Sequence, residues 1–278
     1  MISGKQRWLF VSLFYFMIVI LAVVSLVPLY WTVLTAFRPQ EEAFTYPPSF
    51  VPSRIVFDNI RSTWKLAPFG RFFFNTLVVT AACVSGQIVF GSLAAYAFAR
   101  MEFPGRDFLF LLILGGMMIP PVITLIPLFI MMRQFRWIDT YYALIMPYLW
   151  GQPIGLFLFR QFFLTIPKSL EDAATIDGCG HLRIFQTVIV PNASHAFLTV
   201  AVITFVFTWN NFLWPLIVTN RETMKVLSVA IATTFQSEKT VLWTNLMSAA
   251  TLSVAPLILL FLVAQKNFVE SIQLSGIK

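Results

Sequence analysis

The chain has 278 residues, of which 58% are hydrophobic and 11% charged, with a mean hydropathy of +0.80. A soluble domain carries about 25% charged residues, so this composition excludes an ordinary water-soluble protein and points to an integral membrane protein. The net charge of +7 comes without a basic run or a basic-aromatic alternation, which excludes a nucleic-acid binder; Cys83 and Cys179 stand too far apart for a disulfide framework or a Cys-x-x-Cys zinc site.

Six apolar stretches reach the length of about 20 residues that a helix needs to cross a bilayer: 9–36, 72–99, 108–132, 142–164, 196–219 and 241–265. The expected fold is therefore all-α, a polytopic bundle of six transmembrane helices forming a single transmembrane domain over 1–278. The first stretch follows Lys5 and Arg7 as a signal peptide would, but it continues far beyond about 15 residues without a small-residue cleavage site, so it should remain as a span. Phe37 to Arg71 reads as a long polar loop with Pro47-Pro48, Pro52 and Pro68, whereas Phe103-Pro104-Gly105 is a tight turn. On the second stretch Ala82 with Gly86, Gly91 with Ala95, and Ala95 with Ala99 give the four-residue spacing that lets helices approach closely. Prolines such as Pro28, Pro120, Pro121, Pro127, Pro147, Pro153, Pro215 and Pro256 mark kinks or exposed carbonyls. Arg160 apart, the spans carry no Asp, Glu, Lys or Arg, although ionisable residues inside spans are the usual mark of ion coupling.

The loop 165–191 differs from everything around it. Ser169 and Asp172 have capping-box spacing and Gly178 sits where a left-handed C-cap would, so a helix of about two turns is expected over 170–177. Leu170, Ala173, Ala174 and Asp177 share one face of it, with Glu171, Asp172 and Thr175 to the side: a docking face, with Glu171 as its outward acidic flank. A second helix over 181–190 places Leu182, Phe185 and Ile189 on one stripe and ends at Pro191. Gly178-Cys179-Gly180 lacks a preceding strand, no P-loop occurs, and His181 and His195 lie in no catalytic constellation, so no catalytic residue and no metal site is assigned. Asn192-Ala193-Ser194 fits a glycosylation acceptor by chance.

Glu171, Ala173, Ala174, Asp177, Gly178, Ile184, Phe185, Ile189 and Pro191 resemble the EAA loop of the permease subunits of binding-protein-dependent ABC importers. The resemblance continues through Pro28-Leu29-Tyr30-Trp31, Phe37-Arg38, Asn75-Thr76-Leu77, the turn from Arg100 to Gly105 and the tail from Gln265 to Val269, and is similar to the smaller permease of maltose-type and glycerol-phosphate-type systems. It implies a transmembrane permease whose residues Leu170, Glu171, Asp172, Ala173, Ala174, Asp177 and Gly178 couple to an ATPase. It further implies a second permease subunit in a heterodimer, two ATP-binding subunits that hold ATP and Mg, an extracytoplasmic solute-binding protein, and no cofactor on this chain. The setting would be the bacterial inner membrane. Positive charge divides evenly between the two sides, so only the loop orients the chain, and it places the N- and C-termini in the cytoplasm.

For the substrate path the best stretch is Trp209-Asn210-Asn211-Phe212-Leu213-Trp214-Pro215, where amides that bond hydroxyls alternate with rings that stack on sugars. An interfacial aromatic belt accounts for the same residues equally well. Resemblance to the Trp-Asn-x-Phe element of carbohydrate permeases favours a path through Trp209, Asn210, Asn211 and Trp214, with Gln87, Gln152 and Asn245 as further candidates. Two other classes compete with the importer. An ion-coupled secondary transporter would need charged or broken helices at the midplane, and a membrane enzyme would need a carboxylate or histidine cluster.

Overall fold

The computed structural model describes residues 4–234 and 242–275. Every regular element among them is helical, and the chain sorts into two compact units, Met1–Phe69 with Ile231–Ala255 and Gly70–Ala230 with Pro256–Lys278.

In the first unit α1 (Gly4–Ala36) is long and apolar, and most of its side chains are exposed, as a lipid-facing helix requires. Its end is finished by side chains from the following loop: Asn59 on α2 (Asp58–Leu66) donates to the carbonyls of Ala36 at 3.0 Å and Arg38 at 2.8 Å. Arg38 is buried, lies 4.9 Å from the centre of the Trp31 ring and donates to Ser49 O at 2.8 Å, which gives the long loop a folded core. Asn245 donates to Ser62 Oγ at 2.5 Å and to Asn59 O at 3.1 Å, so its amide holds α2.

The second unit starts with α3 (Phe69–Gly86), passes through a π turn at Gln87–Gly91 and ends its first span in α4 (Ser92–Arg100). Gly105 at φ +80 makes the expected tight turn. The stretch expected as one span over 108–132 is two helices, α5 (Arg106–Gly116) and α6 (Pro121–Gln134), bent by 98° to each other. Gly115-Gly116 gives the first helix a weak end, and Pro120-Pro121 has no N–H with which to continue it. The fourth stretch is α7 (Tyr141–Leu149) and α8 (Pro153–Thr165), separated by Gly151 at φ +96.

After the projecting loop comes α9 (Lys168–Ile176), then α10 (His181–Ile184), a second π turn at Phe185–Ile189 and α11 (Val190–Asn192). Pro191 therefore lies inside the helix rather than ending it: the wider π turn before it leaves room for a ring that would collide with the carbonyl of an α-helical turn. The buried stripe is Ile184, Phe185 and Ile189, while Leu182, in α10 ahead of the π turn, is 62% exposed. The fifth stretch, α12 (Ser194–Trp209), meets the preceding segment at 82° and stops at Asn210, which is followed by the short α13 (Leu213–Val218). The helices α14 (Leu227–Thr234) and α15 (Trp243–Ser275) complete the described chain; Val241, where the sixth stretch was expected to begin, lies outside the described residues. Among the described residues four helical stretches, Phe10–Ala36, Phe69–Arg100, Tyr141–Thr165 and Trp243–Gln265, are long and apolar enough to span a membrane, or six if each bent pair counts as one.

A strap of side-chain bonds closes one end of this unit. Asn75 donates to the carbonyls of Thr223 and Lys225, both at 2.9 Å, and accepts from Tyr141 Oη at 2.6 Å, while Asp139 Oδ1 accepts from the backbone N–H groups of Asn220 and Arg221 at 2.6 and 2.8 Å. Asn75→Leu is expected to leave two carbonyls and a phenol unsatisfied at a cost of about 2 kcal/mol. Limited proteolysis of the 219–226 loop should then accelerate, and an unchanged rate would show that Asp139 alone holds it.

Candidate functional site

The projecting helix α9 begins two residues earlier than its sequence suggested. Pro167, with φ −59 and ψ 130, occupies the N-cap position, so Ser169 falls inside the first turn and makes no capping hydrogen bond. The capping-box reading is thereby corrected: proline fixes the entry to the helix two residues before the serine. The other end is as expected. Gly178 has φ +79, its N–H reaches Thr175 O at 3.0 Å, and Cys179 N–H reaches Ala174 O at 2.9 Å, the double closure of a Schellman cap.

Leu170, Ala173, Asp177 and Asp172 are exposed and Ala174 is half-buried, so these residues form an outward face; Ile176, 87% exposed, extends it. Glu171 does not join that face. It is buried, and its Oε1 lies 2.8 Å from Arg100 Nε in an ion pair. The outward acid of the first turn is Asp172. Burial pushes the Glu171 carboxyl above its usual range; Arg100 opposes this, Asp172 adds to it, and Lys168 and His181 oppose it. With the folded value raised, the group favours folding most below its unfolded pKa and loses that contribution as pH rises through the raised value. On acidification the ion pair opens at a higher pH than an exposed glutamate would protonate.

Arg100 ends α4, and its Nη2 donates to Phe163 O and Ile166 O, each at 2.5 Å, at the end of α8. Arg160 on α8 returns the bond: its Nε donates to Phe98 O of α4 at 3.2 Å and its guanidinium lies 4.2 Å from the centre of the Phe110 ring. The last carbonyls of each helix are thus met by an arginine from the other, where the helix dipole favours a cation. Around this crossed pair Tyr96, Phe159, Phe163, Phe185 and Ile189 form a buried aromatic and aliphatic core that seats the π turn.

The residues proposed for a path occupy two places. Trp209 is buried between Phe205, stacked at 5.3 Å, and Phe73, edge-on at 5.6 Å; Trp214 is buried with its indole N–H donated to Ala143 O at 2.8 Å. Asn210 is exposed and its amide bonds Val206 O at 2.8 Å. Asn211 donates to Tyr148 Oη at 3.3 Å and borders a cavity of about 10 Å³ with Thr76, Tyr148 and Thr208. That is room for about one water, and Thr208 Oγ1 has no hydrogen-bond partner among the described residues. Tyr148 and Thr208 were not singled out in the sequence, and Arg100 was named there only as the start of the turn to Gly105.

Gln87 and Gln152 meet elsewhere. Gln87 Oε1 accepts the backbone N–H of Gln152 at 2.5 Å and so caps the start of α8. The Gln87 side chain lies in a cradle of Gly91, Gly151 and Gly155, and Nε2 of both glutamines lacks a hydrogen-bond partner among the described residues.

Residues 87–273 match the model of the family described as binding-protein-dependent transport system inner membrane component. The chain belongs to this family. The ion-coupled alternative is set aside by that membership. The probable ABC transporter permease YurM of Bacillus subtilis is 33% identical over 252 residues, covering 90% of this chain and 83% of the relative. The arabinooligosaccharides permease AraQ of Halalkalibacterium halodurans is 32% identical, covering 93% of each chain, and the sn-glycerol-3-phosphate permease UgpE of Yersinia enterocolitica is 31% identical, covering 92% and 93%. The fold also matches a chain in the crystal structure of a bacterial ABC transporter involved in alginate import, with a TM-score of 0.84 at 22% identity, over 96% of this chain and 98% of that one. The permease is thus a multi-pass membrane protein with the all-helical fold of such importers.

Proposed function

We propose that this permease is one half of a heterodimeric translocation pathway for a neutral sugar or sugar-like solute. Two separate ATPase subunits, holding ATP and Mg, drive it, and an extracytoplasmic binding protein delivers the solute. The observation that carries this reading is α9: a rigid, sharply capped helix with an outward face of Leu170, Asp172, Ala173, Ile176 and Asp177, shaped to dock in an ATPase groove. That face is cytoplasmic in this reading, and so are both termini. The sugar assignment leans on the oligosaccharide-transporting relative and on chemistry: Arg160, the one ionisable residue expected inside a span, is committed to Phe98 O and Phe110 and is not free for an anionic solute. Asn211, with Tyr148 and Thr208, supplies the hydroxyl-bonding groups of the path, while Trp209 and Trp214 hold the surrounding helices.

The test is uptake by proteoliposomes holding the complete complex and loaded with ATP, offered labelled neutral sugars and glycerol phosphate with the binding protein. Uptake should need ATP and survive an ionophore; collapse of uptake with the proton gradient at constant ATP would sink the proposal. In the same vesicles Asn211→Ala should lower uptake about tenfold with assembly intact, since a lost amide bond to a hydroxyl is worth about 1–2 kcal/mol. Gly178→Val should weaken ATPase binding: space is free around Gly178, but a β-branched residue at φ +79 costs about 1–2 kcal/mol and redirects the helix end. Co-purification of the ATPase at the wild-type ratio would show that the cap is dispensable.

A further inference from the structure

We infer that Arg100, outside the projecting loop and at the end of the second span, is the positioning residue that carries movement of α9 into the membrane helices. The inference rests on the proposed docking of α9 to an ATPase and adds the internal link that such docking requires.

Among the described residues, no side-chain hydrogen bond or ion pair runs from the outward face of α9 to the spans. Among the described residues, the Glu171–Arg100 ion pair is the one side-chain bond that joins α9 to α4 or α8. The same guanidinium belongs to α4 by covalent attachment and to α8 through Phe163 O and Ile166 O. One guanidinium therefore joins three helices, by covalent attachment to α4, by two hydrogen bonds to the end of α8 and by an ion pair to α9. Arg160 binds α4 back to α8 through Phe98 O and reaches Phe110 on α5, so a pull on Glu171 meets a braced pair of helices rather than a loose end. Burial strengthens the link by keeping water away from the pair. By contrast, the chain connection into α9 runs through Ile166-Pro167, and the connection out runs through Gly178-Cys179-Gly180, where the capping bonds of Gly178 and Cys179 return to α9 itself and reach no span. The ion pair is thus the side-chain route by which a displacement of α9 reaches α4 and α8.

The experiment compares wild type with Arg100→Ala, Arg100→Lys, Glu171→Gln, the single reversals Arg100→Glu and Glu171→Arg, and the exchange that combines them, all in the reconstituted complex. Three quantities are read: ATPase co-purified, ATP hydrolysed, and solute taken up per ATP. Arg100→Ala should retain the ATPase and its hydrolysis while uptake per ATP falls about tenfold, the size of a typical coupling between sites. Arg100→Lys keeps the charge without the fork and should fall in between, as should Glu171→Gln. The exchange should recover uptake above either single reversal. Wild-type uptake per ATP in Arg100→Ala would overturn the assignment, and so would a loss of ATPase binding in Arg100→Lys and Glu171→Gln that fully accounts for their loss of uptake. A wild-type complex that binds no ATPase would instead overturn the importer reading on which the assignment rests.

Discussion

Gly86→Ala is expected to prevent the second and fourth spans from closing on one another. A Cβ at that position would stand 2.0 Å from the carbonyl oxygen of Leu149 and 2.9 Å from its carbonyl carbon. The obstacle is backbone, so no rotamer change removes it, and either α3 or the end of α7 must be displaced. Overpacking by one methyl group against movable side chains costs about 1–3 kcal/mol, and a backbone collision belongs at or above the top of that range. Close approach through small residues is also the main source of helix affinity in lipid, where no hydrophobic force draws spans together. The variant should give little assembled complex and a melting temperature in detergent several degrees lower, on the order of 3 kcal/mol of lost stability. A melting curve superimposable on wild type would mean that these spans pack with slack.

Gly155→Ala should be nearly as damaging alone and largely curable. Its new Cβ would lie 2.3 Å from Gln87 Nε2 and 2.5 Å from Cδ, so here the obstacle is a side chain. Trimming that side chain with Gln87→Ala removes the collision. It also removes an amide nitrogen that has no acceptor and an oxygen that caps Gln152 N. Gln87→Ala by itself should therefore cost about 1 kcal/mol, and the double variant should be more stable than Gly155→Ala by about 2 kcal/mol, a coupling of about 3 kcal/mol, at the upper end of the range for residues in contact. Thermal melts of the four members of the cycle decide this. Strict additivity would mean that Gln87 leaves the cradle at no cost.

These glycines show what the sequence could reveal. Gly86, Gly91 and Ala95 were marked as a close-packing face by their spacing and are all buried, because helical periodicity is a local property. Gly178 was legible for the same reason: a C-cap is decided by the residues beside it. Glu171 was not, since its partner Arg100 lies far away in sequence and nothing in a single helix says which of two adjacent acids turns inward. Leu182 was misplaced because α10 is a single turn with two aliphatic residues, and its sequence does not say that Ile184 rather than Leu182 faces the core. The bend between α5 and α6 was signalled by Gly115-Gly116 and Pro120-Pro121, but a hydropathy window adds up apolar residues and takes no account of direction. For Trp209 and Trp214 the residues allowed both path and packing, and only coordinates reveal that both rings are enclosed.

The crossed arginines also impose an order on synthesis. Phe98 O at the end of α4 is met by Arg160, and Phe163 O at the end of α8 by Arg100, so each helix end is completed by a residue from the other. When α4 first enters the bilayer its partner has not yet been made, and Arg100 has neither the α8 carbonyls nor Glu171 to bond. Until α5, α6 and α7 have been laid down and α8 has followed, that end must stay at the wet boundary, where water serves both groups. The hairpin is therefore sealed late, when α8 arrives with its arginine, and a ribosome stalled before Arg160 would hold a second span still anchored at the membrane surface.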